Sequence, residues 1–338
     1  MELEFAQSIF SNFGLKESIV NVKRIESGLI NSTFIVNSKT NSYILQAINT
    51  SILPNYEDGL ENILTIGNSL KKKNYPYSFP LPIKSEYLKV KNEVWRLMPF
   101  VKNSISYNRV STLNQVKSAA NCLGEFYHYL SDFNAENLLI TLPNFHNGEF
   151  IIKKFEEALT SGDSKRLLFA KPIINEILSE LPILKKWDNV CNSLPTRVVH
   201  YDTKINNFLF DKKTDEVLAI IDFDTLMPGC VLSDIGDMIR TYSNPVGEES
   251  KEIEKVVCNK EIINLIIKEF AKTACLEKKE IENLFFGGIA ITFMQCVRFL
   301  TDYLNGDSYY KISYESQNLI RAKNQWALYL SLRKIKAL

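Results

Sequence analysis

Two carboxylates set twenty residues apart around a short apolar stretch constrain this chain more than any other feature. The segment His200-Tyr201-Asp202-Thr203-Lys204-Ile205-Asn206-Asn207 places an asparagine five residues after an aspartate. The run Val217-Leu218-Ala219-Ile220-Ile221 then ends on Asp222, with Asp224 two residues further on. Short aliphatic runs rich in β-branched residues read as buried strands. A polar hairpin of no chemical consequence would also put Asp before a turn and Asp at a strand end. The five-residue interval, the aliphatic strand and the second carboxylate occur together, and together they mark a site.

The residue types fit phosphoryl transfer, which asks a protein for positioning and charge stabilisation more than for covalent chemistry. Asp202 is the expected base, orienting an acceptor hydroxyl and taking its proton. Lys204, two residues on, is placed to offset charge on the transferred phosphate. Asn207 and Asp222 offer hard oxygen ligands that suit Mg2+ already partly held by phosphate, and Asp224 is a further carboxylate for metal and acceptor.

Around this island the chain changes character. Thr33 to Val36, Tyr43 to Gln46 and Glu93 to Leu97 read as strands, and Asn55 to Lys72 carries Leu60, Ile63, Leu64 and Gly67 at helical spacing. From Val110 onward the pattern is helical, most clearly over Leu113 to Leu130 and Asn283 to Leu304. The expected fold class is therefore α+β: a small β-rich lobe over residues 1–101, a linker near Phe100 to Asn103, and a larger, mostly helical lobe over 102–338.

Composition narrows the partners. Forty basic against thirty-nine acidic residues leave a formal charge of +1, so no global field draws the chain to nucleic acid or an anionic membrane. No uninterrupted apolar run approaches the ~18 to 20 residues needed to span a bilayer. The six cysteines are scattered without a C-x-x-C pair and only three histidines are present, which argues against zinc. The start, Met1-Glu2-Leu3-Glu4-Phe5, lacks the pattern of a secretory signal, and the expectation is a cytoplasmic protein.

H-x-D-x-x-x-x-N followed by I-D-F resembles the signature of the aminoglycoside phosphotransferase and choline kinase family, small-molecule kinases on a protein-kinase-like two-lobe fold. Longer strings are similar to its N-acetylhexosamine 1-kinase branch: His200 to Asp211, Asp222 to Gly229, Ser233 to Arg240, Arg298 to Tyr309, Gly28 to Phe34, and Tyr43 to Asn49. The resemblance implies ATP and Mg2+ as cofactors and a small sugar as acceptor, phosphorylated at its anomeric hydroxyl. It implies that the turn Gly28, Asn31, Ser32 and Thr33, together with Gln46, meets the nucleotide's phosphates. It implies that the linker Met98, Pro99, Phe100 and Val101 meets adenine. Asp202, Asp224, Arg298 and Tyr309 would then meet the acceptor.

Some positions stay open on the residues alone. Arg298 and Asp302, four apart, also suit an ion pair within a helix. His146 suits either an acceptor pocket or a solvated loop. Arg240 reads as an anchor for the loop after Asp222. Kinases usually place a lysine on the third strand, and this chain has Gln46 there. Glu57 and Glu61 are the candidates for the glutamate that would pair with such a lysine. Two other readings share the motif: a kinase of another acceptor (aminoglycoside, amino alcohol or other sugar), and a nucleotide-binding module without turnover. Aminoglycosides are polycations and call for an acidic acceptor wall, whereas the carboxyl-terminal half mixes Lys, Arg and Glu freely.

Overall fold

The computed structural model describes residues 1–25 and 30–335. The chain opens with a helix that the sequence reading did not anticipate, α1 (Leu3–Asn12), whose buried residues Ala6, Ile9 and Phe10 lie on one face by the three-to-four spacing. Next come β1 (Ile19–Ile25), β2 (Ser32–Ser38) and β3 (Ser42–Ile48), then α2 (Tyr56–Lys72), β4 (Leu88–Val90) and β5 (Glu93–Pro99). The strands form one antiparallel sheet in the order β1-β2-β3-β5-β4.

Period-two alternation gives this sheet two different faces. Phe34, Val36, Tyr43, Leu45, Trp95 and Leu97 pack against α1 as one apolar cluster. Their neighbours in sequence, Thr33, Ile35, Ile44, Gln46, Arg96 and Met98, point the other way and line a cavity. A single period therefore both builds the small core and arms its opposite face. α2 crosses on that side and is tied down by Asn62, whose amide donates to the Leu139 and Leu226 carbonyls and accepts from the Leu139 N–H.

Four residues after β5 the chain enters β6 (Ser104–Ile105), which belongs to a different sheet. The helical part follows with α3 (Leu113–Tyr129), α4 (Gly148–Ser161), α5 (Ser164–Glu180) and α6 (Pro182–Cys191). The strands β7 (Arg197–Val199), β8 (Phe208–Asp211), β9 (Val217–Ile220) and β10 (Met227–Gly229) come next, arranged as β6-β8-β9 and as the pair β7-β10. The chain closes with α7 (Val231–Tyr242), α8 (Lys260–Thr273), α9 (Lys278–Leu304) and α10 (Gln317–Arg333). This is the expected α+β architecture.

α9 is long and apolar enough to cross a bilayer by length and composition, with a mean hydropathy of 1.6. Two thirds of that window is buried inside the molecule, where α7 and α10 pack on it, which is how a core helix looks. α7 and α9 approach closely because each brings glycine to the crossing. A Cβ on Gly236 would lie 2.6 Å from the Gly287 carbonyl oxygen and 2.7 Å from Ile291 Cγ1. Gly236→Ala therefore has to push two packed helices apart, and overpacking of this kind costs about 1–3 kcal/mol. Urea unfolding should show a lowered midpoint; an unchanged midpoint would mean that the contact yields freely.

Candidate active site

The loop between β7 and β8 is held from below by one side chain. Asp234, in the first turn of α7 and fully buried, accepts the His200 N–H at 3.0 Å, the Tyr201 N–H at 2.6 Å and the Tyr127 hydroxyl at 2.9 Å. Burial pushes its carboxyl up to about 6, against the pull of His200 and the two peptide N–H groups. Tyr201 sits at φ +68°, in the left-handed region that bulky residues avoid, so the loop needs such a hold.

Further bonds fix the rest of the loop. The Thr203 hydroxyl donates to the Asp234 carbonyl, and the Asn207 amide donates to the Asp202 carbonyl at 2.8 Å. The Asp202 N–H donates to His200 Nδ1, which leaves the proton on Nε2 to donate to the Ile221 carbonyl. His200 thus joins the first aspartate's backbone to the residue before the second.

Lys204 Nζ lies 3.0 Å from an Asp202 carboxylate oxygen. Desolvation would raise the Asp202 carboxyl, but Lys204 outweighs it and holds the group below its ordinary value. Asp222 follows β9 in the left-handed region at φ +67° and opens onto the cleft. The walls around it, then Asp224 and Asp202, push its carboxyl up to about 6. Among the described residues no side chain donates a hydrogen bond to it.

Two cavities meet here. One is lined by the exposed-face residues of the small sheet, by Met98 to Val101, and by Asn206, Asn207 and Phe223. The other is lined by Asn31, Phe145, Tyr201, Asp202, Asp224 and Arg298 among others. Thr33, Gln46, Lys204 and Asp222 line both. Of the expected phosphate-contacting turn, Gly28 lies outside the described residues, and Ser32 opens β2 beside Ala47 and lines neither cavity.

Gln46 is not alone on its strand pair. Its directly paired neighbour across the sheet is Arg96, whose Nε donates to Gln46 Oε1 at 2.8 Å. The same guanidinium forks onto both carboxylate oxygens of Asp224. Asn31 donates to Asp224 Oδ2 at 2.7 Å as well. Asp224, expected as a metal ligand, thus has both oxygens committed to a cation of the other lobe. Glu57 pairs at the surface with Lys89 of β4 and Glu61 is exposed, so neither serves as the partner of a cation on β3 or β5. Sequence reasoning missed Arg96; the signal was a lone charge inside the apolar run Val94 to Met98.

At the far end, Arg298 is not paired with Asp302. Asp302 instead accepts the N–H groups of Ser308, Tyr309 and Tyr310 and the Asn318 amide, shaping the turn after α9. The Arg298 guanidinium lies 4.5 Å from the Phe145 ring centre, with Tyr310 at 5.8 Å and Tyr309 at 5.9 Å. His146 stacks on Phe145 and shares a hydrogen with Ser233 Oγ at 3.0 Å. Burial, then Arg298 and Arg240, hold its imidazole well below the ordinary range, so it lines the cavity as a neutral ring. Arg240 pairs with Asp237 and Glu248, anchoring the segment after α7 rather than the loop after Asp222.

Known proteins share this architecture. An aminoglycoside phosphotransferase from Alicyclobacillus acidocaldarius subsp. acidocaldarius aligns with a TM-score of 0.62 at 13% identity, over 97% of this chain and 95% of that one. A choline kinase from Cryptosporidium parvum gives 0.61 at 13%, over 98% and 96%. A spectinomycin phosphotransferase in complex with ADP and spectinomycin gives 0.60 at 13%, over 98% of each. At these identities the likeness establishes the kinase-like fold. The profile of the phosphotransferase enzyme family matches residues 21–254, well over half of the sequence, and the chain belongs to that family.

Proposed function

We propose that this phosphotransferase moves the γ-phosphoryl group of ATP, with Mg2+, onto the anomeric hydroxyl of an N-acetylhexosamine, N-acetylglucosamine or N-acetylgalactosamine. The carrying observation is the border between the two cavities. Asp202 lines only one of them, Asn207 only the other, and Lys204 and Asp222 stand where they join. A donor in the first-lobe cavity and an acceptor in the second would meet at that border. That one relative holds ADP together with its acceptor supports assigning the two cavities to two ligands. On this reading residues 1–101 carry most of the nucleotide cavity and 102–338 carry the catalytic loop and the acceptor.

Asp202, kept ionised beside Lys204, accepts the acceptor's hydroxyl proton and aims the oxygen. Lys204 reaches the transferred group from the border and leaves Asp202 free to act as base. Asp222 has an open carboxylate with no donor of its own, and the Asn207 carbonyl oxygen is left over once its amide has bonded Asp202. One carboxylate and one amide oxygen fit Mg2+, which fills its other positions with phosphate and water. When bound, that ion offsets the charge on the phosphates. Thr33 and Gln46, which line both cavities, would flank the phosphates, and the Met98 to Val101 backbone would meet adenine, whereas Asn31 lines only the acceptor cavity.

Charge pairing favours a neutral acceptor. In the acceptor cavity Asp202 is paired with Lys204, Asp224 with Arg96, Asp237 and Glu248 with Arg240, and Glu249 with Arg321. Beyond Asp222 at the border and the buried Asp237 Oδ2, a polycationic aminoglycoside would find no uncommitted acidic wall. A quaternary ammonium would find the aromatic faces of Phe145, Tyr309 and Tyr310 already holding the Arg298 guanidinium. A sugar offers hydroxyl and amide oxygens to that guanidinium and an apolar ring face to Tyr309.

Asp202→Asn should keep nucleotide binding and lose about 10²–10⁴ in kcat, measured by steady-state kinetics. Wild-type turnover in that variant sinks the base assignment. Arg298→Ala should raise the acceptor KM about tenfold or more with the ATP KM nearly constant, since a lost charged hydrogen bond is worth that much. Equal change in both constants removes Arg298 from the acceptor. The deciding experiment is ADP release against N-acetylglucosamine, N-acetylgalactosamine, glucose, galactose, choline and kanamycin. Turnover confined to the N-acetyl sugars, with an acid-labile product phosphate, is expected. Turnover on choline or kanamycin would move the acceptor and leave the catalytic loop assignment standing.

A further inference from the structure

Three features stand out beyond the loop between β7 and β8: the buried Arg96–Asp224 pair, the close thiols Cys191 and Cys230, and the exposed Leu168–Phe169 patch on α5. The first carries furthest. Arg96 is 2% exposed, lies in the middle of β5 and faces away from the α1 core. Its three nitrogens are all engaged: Nε with Gln46 on β3, and both Nη atoms with Asp224 in the other lobe. A guanidinium uses three of its five N–H groups this way; the Tyr87 hydroxyl takes another, and one remains.

The pair is also oriented. Arg96 lines the cavity that holds Met98 to Val101 and not the other, whereas Asp224 lines the acceptor cavity and not the first. The wall between the two cavities is thus an ion pair with its cation toward one side and its carboxylate toward the other. Gln46 stands at the position where a strand lysine would meet phosphate, and its amide oxygen is spent on locating Arg96.

We propose that Arg96 supplies the fixed cation that β3 lacks, acting on the nucleotide's phosphate groups, with Asp224 across the cleft in place of a helix glutamate as its partner. The inference rests on the phosphotransferase reading of the two cavities. It explains how a chain with Gln46 keeps a charged phosphate site, and why Asp224 is committed before any ligand arrives. Because the partner sits in the other lobe, the same pair fixes the approach of the small sheet to the loop after β9. Arginine suits this place better than lysine, since its planar fork can hold a carboxylate bidentately and still present donors elsewhere.

The test is calorimetric binding of ADP with Mg2+ to the full-length chain and its variants. Arg96→Gln should weaken ADP binding about ten- to a hundredfold, the loss expected for a charged hydrogen-bond donor. Because that variant strands the Asp224 charge, the neutral double variant Arg96→Gln with Asp224→Asn is made alongside, and it should fold and still bind ADP weakly. Gln46→Lys in the Arg96→Gln background returns a cation to the paired position and should restore most of the affinity. A merely structural arginine would not be rescued this way. Wild-type ADP affinity in the folded double variant, or no recovery with Lys at 46, overturns the proposal while leaving the function reading intact. Failure of the unsubstituted chain to bind ADP overturns both.

Discussion

The Asp234 carboxylate takes a peptide N–H from His200, another from Tyr201 and a hydroxyl from Tyr127 while wholly out of solvent. Holding a tyrosine in the left-handed region costs on the order of 1–3 kcal/mol, and charge-assisted hydrogen bonds are roughly twice as strong as neutral ones, so this one group can sustain the strain. The strain has a use. It turns the chain sharply after β7, so that Asp202 faces the cleft while its own N–H is returned to His200. α7 is in turn fixed to α9 by a crossing at which glycines let the helices touch. The loop between β7 and β8 is therefore located by the helical core as well as by its own bonds.

Around that loop the charges are arranged in pairs that leave few groups uncommitted. Asp224 belongs to Arg96, Asp237 and Glu248 to Arg240, and Glu249 to Arg321. Buried charge is tolerated when it is paired and hydrogen-bonded, as Arg96 with Asp224 and Arg240 with Asp237 and Glu248 are, although Asp237 Oδ2 has no donor among the described residues. What stands outside the pairing is then informative. Asp222 accepts no side-chain hydrogen bond among the described residues, and burial together with Asp224 and Asp202 raises its carboxyl to about 6. Arg298 has aromatic faces and a long 3.4 Å contact to Gln295, a guanidinium with donors to give. One open carboxylate at the border of the two cavities and one open guanidinium at the far end of the second are the groups that the pairing leaves over.

Much of this was legible beforehand. Strand alternation in β2, β3 and β5 follows from period-two patterning, and α2, α3 and most of α9 from helical spacing, because both signals are local. The Asp202, Asn207 and Asp222 set was visible for the same reason, since its spacing is written along the chain. α1 went unseen because a short amphipathic helix at a terminus shows little until there is a sheet for Ala6, Ile9 and Phe10 to cover. The Arg298 to Asp302 spacing suggested a helix ion pair, and the turn after α9 took Asp302 for itself by offering three peptide N–H groups.

The sequence by itself determined the α+β architecture and the order of Asp202, Asn207 and Asp222 around one hairpin, because these depend on neighbours within about twenty residues. Tertiary structure alone decided that Arg96 bonds Gln46, that Asp224 is drawn across the cleft to Arg96, and that Phe145, Arg298 and Tyr309 line one cavity. Gln46 and Arg96 stand 50 residues apart and Arg96 and Asp224 stand 128 apart, and their pairing follows from desolvation. Once packing buries a charge, the nearest opposite charge in space becomes its partner, whatever the distance along the chain.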